Sequence, residues 1–84
     1  MKFPTIHLNG TSRKALHHGY REAALAVKRA IDATAETYPN ARDYYPQGDE
    51  AFYAARQEHE ERVRLLAVVH GQLLDLVYHC QEKV

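Results

Sequence analysis

The 84-residue sequence is short of the usual anchors. A single cysteine, Cys80, rules out an internal disulfide and fits a reducing cytoplasm. Formal net charge is zero, so nothing draws the whole molecule towards nucleic acid or a charged surface. No apolar run is long enough to span a bilayer, and no signal-peptide pattern opens the chain. Asn9-Gly10-Thr11 matches a glycosylation acceptor, but nothing else suggests secretion. The three prolines, Pro4, Pro39 and Pro46, stand outside the two stretches with helical periodicity. No internal repeat or low-complexity tract is present.

Chemical signatures are equally sparse. Zinc sites on helices need ligands at i and i+4 or similarly tight spacing. His17 and His18 are adjacent, while His59, His70 and His79 are eleven and nine residues apart, so none forms a metal pair. There is no nucleophile elbow, phosphate-cradling glycine loop or dinucleotide fingerprint. Glu60 and Glu61 belong to a charged helical face. The expectation is a protein that is not an enzyme and that uses no metal or cofactor.

What is present reads as one all-α domain over residues 1–84. An extended arm covers 1–10, helix 11–37, a loop 38–48 and a second helix 49–83. In the arm, Ile6 and Leu8 alternate with Thr5 and His7, as in a half-buried strand that pairs with another copy or lies along the helices. Thr11 or Ser12 can cap the first helix, in which Leu16, Tyr20, Ala23, Val27, Ala30, Ile31, Thr34 and Tyr38 recur at three- and four-residue steps. Six alanines between 23 and 35 favour helix and permit close approach. Pro39 ends it. Asp49 can cap the second helix, whose seam runs Phe52, Arg56, His59, Val63, Leu66, His70, Leu73, Val77, Cys80, Val84. The two should form an antiparallel hairpin.

Two features point to assembly. Leu65, Val68, Val69, Leu74 and Leu76 form a second apolar stripe that one hairpin partner cannot cover. Residues 1–37 hold six basic and three acidic residues, a net of +3, whereas 38–84 hold five and eight, a net of −3. Opposite halves suit helices packed within or between chains. A core of this size is marginal alone, so a homo-oligomer is expected.

Two segments could bind a ligand. Asn9, Thr11, Ser12, Arg13 and Lys14 open a helix, where free amides and the dipole favour an anion. Cations in a first turn oppose the dipole, so Arg13 and Lys14 need a reason to be there. The loop crowds Tyr38, Tyr44 and Tyr45 with Arg42, Gln47 and two prolines. Tyr44 or Tyr45 could stack on a base, with Arg42 on phosphate. Alternatively, the tyrosines cap the hairpin core and the cations are solvated. In one hairpin the two segments lie at opposite ends, so only an oligomer could bring them together.

Three stretches, Ile6-His7-Leu8-Asn9-Gly10-Thr11-Ser12, Asn40-Ala41-Arg42-Asp43-Tyr44-Tyr45-Pro46-Gln47-Gly48 and Glu58-His59-Glu60-Glu61-Arg62, resemble a family of small proteins of tailed phages and prophages. The resemblance spans nearly the whole chain and implies expression in an infected bacterial cytoplasm. By analogy of size and context, small phage proteins that sequester cyclic nucleotide immune signals suggest a non-enzymatic sponge. The alternative is inhibition of a host protein by direct contact. On either reading, membrane and long nucleic acid are not expected partners.

Overall fold

A computed structural model describes residues 1–81. Two long helices, α1 (Arg13–Ala35) and α2 (Asp49–Cys80), pack antiparallel, and the described residues contain no strand. The hairpin is slender, 61 × 22 × 20 Å. Its ends are tied by long-range contacts. At one end the Arg13 guanidinium lies 3.5 Å from the Cys80 carbonyl. At the other, Arg56 Nε donates to Tyr38 Oη at 3.1 Å.

Helix α1 starts two residues later than the expected 11, because Ser12 is the cap: its hydroxyl accepts from the Ala15 amide at 3.1 Å. Asn9 and Gly10 belong instead to a turn closed by the Gly10 amide on the His7 carbonyl. The helix ends at Ala35, two residues short of the expected 37, and the Thr37 and Tyr38 amides still reach back to Thr34 and Ala35. At α2 the cap falls on Gly48 rather than Asp49. Gly48 has φ +100, open to glycine and costly for other residues, and this sharp change of direction launches the helix. Asp49 and Glu50 follow in the first turn, where the dipole favours carboxylates. Helix α2 ends at Cys80, short of the expected 83, because Gln81 is extended and its amide turns back to the Tyr78 carbonyl. Lys83, and Val84 on the seam, lie outside the described residues.

The expected loop is built from two short 3-10 turns, Ala41–Asp43 and Tyr45–Gln47. Asn40 caps the first by accepting from the Arg42 amide at 3.0 Å. The second lies against the start of α2, which projects beyond α1. The N-terminal arm is not a strand. It lies along the far end of α2, with Phe3 stacked on His79 at 4.8 Å and His79 Nε2 2.7 Å from the Pro4 carbonyl oxygen.

The α2 seam read from the sequence faces α1: every position from Phe52 to Cys80 on it is buried or half-buried. On α1 the expected face holds at Leu16, Tyr20, Ala23, Val27, Ile31 and Thr34, but Ala30 and Tyr38 are exposed. Leu74 also turns to the α1 side rather than joining the outer stripe. Coverage is thin. Among the described residues only Ala24, His59 and Cys80 are buried, while Leu65 stays 53% and Val69 44% exposed. An alanine-rich α1 brings the backbones close but leaves little side-chain bulk to cover α2.

Candidate functional site

Most of the basic residues of α1 fall on one side, with His18 and Arg29 outside it. At about 100° per residue, Arg13, Lys14, His17, Arg21 and Lys28 occupy roughly a 100° arc. Two adjoining concavities open along that arc. The first, about 500 Å³, lies at the helix start between Arg13, Lys14, His17 and Gln81. The second, about 510 Å³, runs between the helices and shares His17 and Gln81 with the first. Its rim carries Arg21 and Lys28; its walls are apolar, with Leu25 from α1 and Leu74, Val77 and Tyr78 from α2. The result is an apolar trough with positive charge along one lip.

Some of that charge is engaged. Lys28 Nζ is 2.6 Å from the Asp32 carboxylate, one turn on, and Arg21 lies 3.8 Å from Glu22. Both pairs are solvent-exposed and therefore weak, so an anion could compete for either cation. Arg13 answers the question of a cation in a first turn. Its guanidinium reaches the last carbonyl of α2, where the antiparallel partner presents the negative end of its dipole.

Of the residues expected around the helix start, Arg13 and Lys14 line a concavity. The Ser12 hydroxyl is committed to capping. Asn9 and Thr11 are exposed and do not line either concavity. Sequence reasoning missed His17, Arg21, Lys28 and Tyr78; the first three share an arc with Arg13 and could have been found by plotting the cations on the helical wheel.

The loop residues divide between support and display. Tyr38 packs edge-on against His59 at 5.1 Å and accepts from Arg56, whose guanidinium also lies 5.8 Å over the Phe52 ring. The bond to Tyr38 holds the Arg56 guanidinium above its usual pKa. Tyr44 is half-buried, 6.5 Å from Phe52. Tyr45 remains 73% exposed beside a shallow depression shared with Ala41, Asp49, Phe52 and Tyr53. Arg42 and Gln47 are exposed, and the Gln47 amide closes the second turn on the Tyr44 carbonyl. The loop thus caps the hairpin with Tyr38 and Tyr44 and presents Tyr45 outward.

The two segments remain at opposite ends of the hairpin, because α1 alone spans about 34 Å between them. Among the described residues no cluster of three or more histidine, cysteine or acidic side chains could hold a metal, and no helix is long and apolar enough to cross a membrane. No family model, curated protein or solved structure matches the chain.

Proposed function

We propose that this is a non-enzymatic, phage-encoded binding protein that works as a homo-oligomer in the infected bacterial cytoplasm and sequesters a small phosphate-bearing ligand, a cyclic nucleotide of anti-phage signalling. One observation carries the ligand class: Arg13, Lys14, Arg21 and Lys28 lie along one lip of an apolar trough. Phosphates need that charge; a base needs the flat apolar wall and the Tyr78 face. Arg13 and Lys14 serve phosphate at the helix start, joined by His17, Arg21 and Lys28. Asn9, Thr11 and Ser12 shape the approach. Arg42, Tyr44, Tyr45 and Gln47 come from a neighbouring copy and close over base or ribose. Binding at equilibrium suffices for sequestration, so no reacting group is required.

Titration calorimetry against a panel of cyclic di- and trinucleotides tests this. Saturable heat is expected, weakened about tenfold or more by Arg21→Ala combined with Lys14→Ala, since each charge-assisted contact contributes about 1.5–3 kcal/mol. No heat with any member, from a folded oligomer, overturns it.

A second reading has its own observation. Tyr45 and Tyr53 stand 73% and 59% exposed around the loop-end depression, the kind of aromatic display that anchors protein interfaces. On that reading the chain inhibits a host protein by direct contact. A stoichiometric protein captured from host lysate and lost with Tyr45→Ala would favour it; a bound small molecule favours the first.

A further inference from the structure

Helix α2 carries a second heptad seam, set one residue, about 100°, around the helix from the one that meets α1. Its upper half is Ala51, Ala55, Glu58 and Arg62, and its lower half Leu65, Val69, Gln72 and Leu76. The steps alternate four and three throughout, as on the α1-facing seam. The four positions from Glu58 to Val69 are all exposed. A shallow concavity of about 430 Å³ lies on it, and four of its five walls, Glu58, Glu61, Arg62 and Leu65, are spaced i, i+3, i+4, i+7. That is the four-cornered hole into which a knob from a facing helix fits.

We propose that this seam pairs antiparallel with the same seam of a second copy. The sequence order decides the direction. In a parallel pair Glu58 would face Glu58 and Arg62 would face Arg62, two like-charge contacts. An antiparallel pair centred at residue 60 instead sets Glu58 against the partner's Arg62, and Arg62 against the partner's Glu58. The same register sets Leu65 on the partner's Ala55 and Val69 on the partner's Ala51, large against small, as interdigitating layers require. One two-fold axis therefore satisfies both charge and volume. The overlap covers residues 49–71 of both copies, about 34 Å of seam. This pairing deepens the oligomer of the proposed function but uses a face of α2 separate from the trough.

Charge reversal tests it by sedimentation velocity at micromolar concentration. The wild type is expected to associate. Glu58→Arg places four arginines on the axis and Arg62→Glu four glutamates; each should weaken association about tenfold or more. An equimolar mixture of the two variants should associate again, and so should the double exchange in one chain. Leu65→Asp should dissociate the pair as well. All these side chains are exposed, and helix content by circular dichroism verifies that each variant is folded. A wild-type monomer, single reversals that leave association unchanged, or a double exchange that stays monomeric would each overturn the proposal. Loss of nucleotide binding from an intact wild-type dimer would remove the ligand reading and leave the seam standing.

Discussion

Helix α2 presents two seams of the same 4–3 spacing, and they have opposite fates. The inner one lies against α1, and its polar members are accommodated: His59 is buried beneath the Tyr38 ring and Arg56 bonds the Tyr38 hydroxyl. The outer one carries residues just as apolar, Leu65 and Val69, yet leaves them about half exposed. Spacing alone thus makes a helix face capable of burial without saying what buries it. The inner seam is closed by the same chain because Pro39 and the Gly48 turn reverse its direction. Among the described residues no second element meets the outer seam.

The largest expected contrast comes from placing a carboxylate in each seam. Leu65→Asp should abolish self-association while leaving helix content nearly intact, whereas Leu66→Asp, half-buried one residue away, should lose the fold. Circular dichroism melts beside sedimentation read both, and equal effects would erase the distinction between the seams. Next comes volume. Ala24 is the one buried residue of α1 among those described, so Ala24→Leu should cost about 1–3 kcal/mol by overpacking. Ala26→Leu, on the exposed side of α1, should change stability little.

A backbone change at the turn should be similar or smaller. Gly48→Ala puts a Cβ in open space, so strain at φ +100 is its whole cost, about 1–3 kcal/mol by denaturant unfolding. The smallest effect concerns the outer face itself. Arg64 donates to the Glu61 carboxylate at 2.8 Å and holds its pKa below the usual value. A lowered folded-state pKa contributes stability above the ordinary carboxylate range that disappears as pH falls through it. Glu61→Gln should therefore lower the melting temperature slightly at neutral pH and low salt. The difference from wild type should vanish in acid, and largely vanish at high salt.

The fold was largely legible because helical periodicity is a local property. The inner seam could be read from Phe52 through Cys80 without error in phase, and Pro39 marked the break. Ends were harder. Ser12 rather than Thr11 took the cap, and Gly48 displaced Asp49, because capping depends on backbone angles that composition does not encode. The arm lies along a helix, one of its two expected placements, but not as a strand. Alternation at Ile6 and Leu8 imitates a strand, but the segment is anchored by Phe3 and Pro4 on His79, and Leu8 is 98% exposed. For the candidate site, the cationic helix start was visible and its continuation through Arg21 to Lys28 was not. The trough exists only once Leu74, Val77 and Tyr78 arrive from residues some fifty positions away. Arg13 shows the converse: a cation that is awkward on its own helix becomes favourable against the end of another.

The most direct measurement is native mass spectrometry of the purified wild-type protein. An even multiple of 9.6 kDa is predicted, with added small-ligand mass if nucleotide co-purifies. A single 9.6 kDa species, fully helical at micromolar concentration, would contradict the claim that the outer seam of α2 is closed by another copy.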